Sequence, residues 1–169
     1  GSGRDTPTWD LVAADCALEP VKPTVDGEPN YEDHPVNPWP KWDPANGYFR
    51  DHDVRKQLYR SVFAGGCGVT YGHHFVWQMY DEGREPRNNG NELIPWRQAL
   101  RRPGASHVCH LRALMESRPF TTRTRDLALV ATPVGERGGH IEAVRDTDGS
   151  YAMVYLPQTR EVSLDTTRL

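Results

Sequence analysis

Proline sets the first limit on what this chain can build. Eight of its fourteen prolines precede residue 45, and a proline lacks the N–H that helix interiors and central strands require. Long regular elements are therefore excluded from the first quarter of the sequence. That quarter is aromatic as well: Trp39, Trp42, Tyr48 and Phe49 are interleaved with Pro38, Pro40 and Pro44. Disordered segments are poor in aromatics. Residues 33–48 thus read as a long ordered loop, the kind that serves a site rather than merely joining elements. Nine acids against four bases in the first fifty residues gather negative charge around it.

Around this loop the pattern is that of short alternating elements. Trp9 to Asp15 has helix-forming composition and is stopped by Pro20 and Pro23, and Pro23-Thr24-Val25-Asp26 reads as a short strand ending at Gly27. Asp51-His52-Asp53 opens a helix whose Val54, Leu58 and Val62 form an i, i+4, i+8 stripe, with Gly65-Gly66 as its stop. Cys67 to Gly72 reads as a second strand. Trp96 to Leu100 and Ala105 to Ser117 read as helices, the latter with Val108, Leu111, Leu114 and Met115 inward. After Pro119 the texture changes to short apolar runs, 127–131, 140–145, 151–156 and 161–164, read as strands. Asp146-Thr147-Asp148-Gly149 is a hairpin turn by composition. The order strand, helix, strand, helices, antiparallel strands predicts the end of an α/β domain followed by the start of a β-domain, with the boundary near residue 120.

Composition narrows the function classes. Twenty Lys+Arg against 23 Asp+Glu give a net charge of −3, and no basic cluster exceeds a pair. Neither nucleic acid nor an acidic membrane surface is an expected partner. No apolar run approaches the ~18–20 residues that span a bilayer, so a soluble chain is expected. A complete (β/α)8 barrel needs about 200 residues or more, and 169 are present. The opening Gly1-Ser2-Gly3 reads as a processing scar or an arbitrary cut, and no charged-then-apolar leader follows it. Cys16, Cys67 and Cys109 form no Cys-x-x-Cys; they read as buried or partly buried free thiols, or as one disulfide and a thiol.

The densest chemical constellation is Asp26, Glu28, Glu32, Asp33 and His34, five ionisable side chains in nine positions at the predicted C-terminal end of a strand. In α/β sheets and barrels that end carries the site. A carboxylate there suits a nucleophile or a general acid/base, and Gly27 lets a ligand approach. The competing reading is a solvated acidic turn whose carboxylates bond loop amides. Glu28, Glu32 and His34 as metal ligands match no standard spacing. A second constellation runs from Gly68 through Tyr71, His73, His74, Phe75 and Trp77 to Tyr80. Its aromatic faces could stack on sugars while His, Gln and Tyr bond hydroxyls; plain core is the alternative for Phe75 and Trp77. In an extended segment His73 and His74 point to opposite sides. His107-x-x-His110 puts two imidazoles on one helical face, without a third ligand or a catalytic Glu nearby. No metal and no cofactor is expected.

Three segments carry a family resemblance. Lys22-Pro23-Thr24-Val25-Asp26-Gly27-Glu28-Pro29-Asn30-Tyr31-Glu32 resembles the region of a catalytic carboxylate in apiosidase-like glycoside hydrolases. Residues 66–79, Gly66-Cys67-Gly68-Val69-Thr70-Tyr71-Gly72-His73-His74-Phe75-Val76-Trp77-Gln78-Met79, resemble the next barrel strand. Leu111 to Pro119 resembles the junction to a C-terminal β-domain labelled collagen-binding, whose first strands resemble Gly138-Gly139-His140-Ile141 and Gly149 to Pro157. The resemblance covers essentially the whole chain. It implies α/β plus β architecture: residues 1–120 as the last strand–helix units of a (β/α)8 TIM barrel, and 121–169 as the start of an antiparallel β accessory domain. It implies a hydrolase that cleaves glycosidic bonds in plant cell-wall-type or related glycans with two carboxylates. Glu28 maps to the seventh-strand carboxylate, as nucleophile or base, with Glu32 as the second candidate. Tyr31, His73, His74 and Trp77 would line the sugar pocket. The partner acid would precede Gly1, leaving this polypeptide inactive alone, and family members are commonly exported. A non-catalytic carbohydrate- or protein-binding module over 121–169 is the other class of reading.

Overall fold

A computed structural model describes residues 3–87 and 92–169. Helix α1 (Thr8–Cys16) precedes strand β1 (Val25–Asp26); the proline-rich loop leads to helix α2 (Asp51–Phe63) and strand β2 (Gly68–Val69). Two short helices, α3 (His74–Trp77) and α4 (Trp96–Ala99), precede the longer α5 (Pro103–Glu116). Strands β3 (Arg123–Arg125), β4 (Glu142–Asp146) and β5 (Ala152–Tyr155) complete the fold.

β1 and β2 run parallel, with Val25 opposite Gly68 and Asp26 opposite Val69, so β1–α2–β2 is a crossover unit with its helix against the sheet. α2 forms where the sequence sets an apolar i, i+4, i+8 stripe, and its first turn is secured by Asp53, which accepts the Arg50 N–H at 3.0 Å. The stripe of Val54, Leu58 and Val62, together with Phe63, packs on Leu111 and Met115 of α5 and on Val144 of β4. Fully burying a side chain such as Leu58 contributes about 2 kcal/mol.

β3, β4 and β5 form an antiparallel sheet in sequence order. The hairpin reading of 146–149 is met: Gly149 donates to the Asp146 carbonyl at 3.1 Å and adopts φ +76°. This sheet does not stand apart from the first. Arg60 of α2, 2% exposed, donates to the carbonyls of Arg137, Gly138 and His140 at 2.8–3.1 Å. Its guanidinium lies 4.8 Å from the Trp9 ring, and Trp9 stacks on His140 at 4.3 Å. Tyr155 stacks on Tyr59 at 4.6 Å. One helix therefore serves both sheets.

Several sequence expectations differ from what forms. Leu127–Leu129 is a 3-10 turn, not a strand; Asp126 caps it by accepting the Ala128 N–H at 3.2 Å. Of 161–164 only Leu164 pairs, in a bridge with Val130. Arg123–Arg125 is a strand the apolar pattern did not indicate. α5 starts at Pro103, which occupies the first turn where its missing N–H costs nothing. The cysteines are free thiols, two of them exposed.

Candidate active site at the strand ends

The two parallel strands deliver their C-terminal ends to one place. After Asp26 and Val69 the pairing lapses, then resumes at Glu32 and His73, so five residues, 27–31, lie opposite three, 70–72. The surplus forms a bulge in which Gly27 and Glu28 are exposed and Pro29 and Asn30 are buried. Pro29 cannot donate to a ladder, which suits it to this position. Glu28 sits on the bulge with an exposed side chain, and its negative charge acts on the His34 ring. A Cβ at Gly27 would meet nothing within 4 Å. Protein packing does not require that glycine, and the space beside Glu28 is open.

Glu32, four residues on, has a different environment. It is 2% exposed and accepts the Tyr71 hydroxyl at 2.6 Å and the Gly104 N–H, at the start of α5, at 3.1 Å. A Cβ on Gly104 would overlap the Glu32 carboxylate; a helix N-terminus approaching this closely requires glycine there. Burial, then the bond and charge of Glu32, push the Tyr71 phenol well above its ordinary pKa, so it stays a donor.

Asp33 is the hub of the loop. It takes Arg50 at 2.8 Å, Arg102 at 3.0 Å and His73 Nε2 at 3.2 Å. Burial raises its pKa, but the hydrogen bond from His73 and the charges of Arg102 and Arg50 outweigh burial and hold it below the usual carboxylate range. His73 is 1% exposed; its Nδ1 accepts the Phe75 N–H at 3.1 Å and caps α3. Only the first of the two histidines is extended: His73, in β conformation, turns its ring inward to Asp33, and His74 begins a helical turn.

The proline-rich loop is ordered as expected. Asp33 to Val36 pairs back on Gly47 to Phe49 through three backbone bonds, Asp33 N–H to Phe49 O at 2.9 Å, Phe49 N–H to His34 O at 3.0 Å and Val36 N–H to Gly47 O at 3.0 Å, around a Pro35–Tyr48 bridge. A 3-10 turn, Pro44–Asn46, closes it under an Asp43 cap. His34 lies between loop and strand ends. Its Nδ1 bonds the Pro35 carbonyl at 2.8 Å and must donate there, leaving Nε2 with the lone pair. Burial lowers the His34 pKa, the Pro35 bond and the Glu28 charge opposing it. The His34 ring is 6.3 Å from Trp39 and meets His74 edge-on at 5.0 Å; His74 is 6.0 Å from Trp77.

Of the residues singled out from sequence, Glu28, His74 and Trp77 are connected through His34, while Glu32 and His73 are engaged in the packing beneath. Tyr31 is half-buried and lies across Gly72, where a Cβ would overlap its ring. Arg102 and Gly104 were not foreseen as parts of this region; only the fold brings Gly104 to Glu32. His107 approaches Asp51 at 3.9 Å, and His110 is exposed. Among the described residues no group of three His, Cys, Asp or Glu could hold a metal ion, and no helix is long and apolar enough to cross a membrane.

The geometry has counterparts in known proteins. Residues 2–122 match the apiosidase-like catalytic domain family. A solved structure described as a glycoside hydrolase superposes with a TM-score of 0.80 at 36% identity, over 88% of this chain and 32% of that one. A glycoside hydrolase family 5 crystal structure from Bacteroides vulgatus superposes with a TM-score of 0.87 at 34% identity, over 96% of this chain and 34% of that one. This chain therefore spans about a third of the length of each. No curated protein matches. The chain belongs to the apiosidase-like family of glycoside hydrolase-like proteins.

Proposed function

We propose that residues 1–120 are the last strand–helix units of a (β/α)8 barrel that cleaves glycosidic bonds, and that 121–169 begin an antiparallel accessory domain. Glu28 is one of the two carboxylates such chemistry needs. The observation that carries this reading is the contrast between two nearby glutamates: Glu28 is exposed on a bulge at the strand ends, and Glu32 is buried against Tyr71 and Gly104. The half-open sheet agrees with it. Among the described residues β1 and β2 pair only with each other, and Val25 of β1 is 55% exposed, as a barrel-lining residue is when its neighbouring strands are not there.

In a retaining mechanism the Glu28 carboxylate attacks the anomeric carbon as the glycosidic C–O bond breaks, and a second carboxylic acid placed about 5–5.5 Å from Glu28 protonates the departing oxygen. A water deprotonated by that same second group then releases the sugar from Glu28. That acid belongs to a strand outside these 169 residues, so this polypeptide alone does not turn over substrate. The substrate class, plant cell-wall-type or related glycans, is taken from the family. Purified whole enzyme carrying Glu28→Gln tests the assignment: loss of turnover with an unchanged fold supports it, and near-normal turnover removes Glu28 from the mechanism.

A further inference from the structure

We infer that Trp39 and Trp77 are two sugar-stacking platforms on either side of the His34–His74 pair, so that the site takes a glycan of two or more units. This rests on the reading of the site as a glycan-binding one. Four rings follow one another, Trp39, His34, His74 and Trp77, in steps of 6.3, 5.0 and 6.0 Å. The two imidazoles are inside, His74 wholly buried and His34 half-buried, and the two indoles are outside, 65% and 43% exposed.

An exposed indole on a mobile loop would mean little. Trp39 is instead carried by a loop paired back on itself from Asp33 to Phe49 and tied down by the Asp33 hub. A rigid aromatic face loses little entropy when a ligand covers it. Each indole offers a flat apolar face for the C–H side of one sugar ring. His34 Nε2, which carries the lone pair, offers an acceptor for a hydroxyl between them.

The test is a titration of the 169-residue chain followed by its tryptophan indole N–H resonances, assigned by substitution. The probes are xylose, arabinose, mannose and glucose, and the linear oligosaccharides of each up to the hexasaccharide. The expected result is that the Trp39 and Trp77 resonances shift together and saturably with at least one oligosaccharide series, while its monosaccharide fails to move both. Trp39→Ala should weaken that binding about tenfold, the scale of one stacked ring, and Trp39→Phe should recover most of it. Trp39 is largely exposed, so these variants are expected to fold, which circular dichroism checks. Indole resonances that do not move together with any probe, or Trp39→Ala binding as well as the parent, overturn the inference. If that happens while Glu28→Gln still abolishes turnover in the whole enzyme, the hydrolase reading stands and the two-platform one falls. Glycan binding that needs Trp39, with turnover indifferent to Glu28, leaves the platforms and removes the catalytic role.

Discussion

Three side chains, two arginines and a histidine, converge on the single carboxylate of Asp33, and each comes from a different part of the chain: Arg50 before α2, His73 before α3 and Arg102 before α5. Asp33→Asn removes the negative charge these partners face; because both arginines are partly exposed, the cost is about 1–2 kcal/mol, between an exposed and a fully buried pair, and urea unfolding should show that loss. Because the Asp33 pKa is lowered on folding, its contribution is full above the unfolded value of about 3.9 and disappears as pH falls through the folded value. The stability difference between the parent and Asp33→Asn should therefore narrow in acid. His34 behaves in the same sense, in a higher pH window. Burial lowers its pKa, so its folded-state advantage is present above about 6.5 and shrinks as pH falls below it. By NMR it should titrate below the ordinary histidine midpoint. Since Glu28 opposes the shift, Glu28→Gln should lower that midpoint further; an unchanged midpoint would mean the two groups are not neighbours.

Among the elements, α2 was legible in the sequence because its apolar stripe, acidic first turn and glycine stop all agree. The 127–131 run was not: a short apolar stretch has no period long enough to separate strand from turn, and Asp126 decides for the turn. β3 was invisible for the reverse reason. Arg-Thr-Arg carries no apolar alternation, and it pairs with β4 while Arg125 grips Glu142 at 2.6 and 2.8 Å. The site was legible in part. That Glu28 stands exposed just past a strand end could be read from the strand and the glycine before it. The surroundings of Glu32 depend on Gly104, seventy-two residues away, which no local pattern announces. α2 also makes a prediction of its own. Arg60→Ala removes the donor of the buried His140 carbonyl, at about 1–3 kcal/mol for an unsatisfied group, and one donor from the partly buried carbonyls of Arg137 and Gly138. Hydrogen exchange should then speed up across β4 and β5 more than in β1, where Arg60 makes no bond.

For the whole molecule, the two sheets share α2, but the parallel one keeps bare surface. Val25 is exposed, and a groove of about 550 Å³ between β2 and α5 is lined by Val69, Val108, Leu111, Met115 and Phe120. Contiguous apolar surface of this kind binds hydrophobic dyes. The 169-residue chain should enhance the fluorescence of such a dye, and the whole enzyme should do so much less if further strands and helices cover these faces; equal enhancement would argue against the barrel. The most direct measurement is turnover of a glycan substrate by the whole enzyme with Glu28→Gln, beside Glu32→Gln. The expected result is a fall in kcat of about a thousandfold for Glu28→Gln with its melting temperature kept, and a loss of stability for Glu32→Gln. Turnover by Glu28→Gln within about twofold of the parent would contradict the assignment.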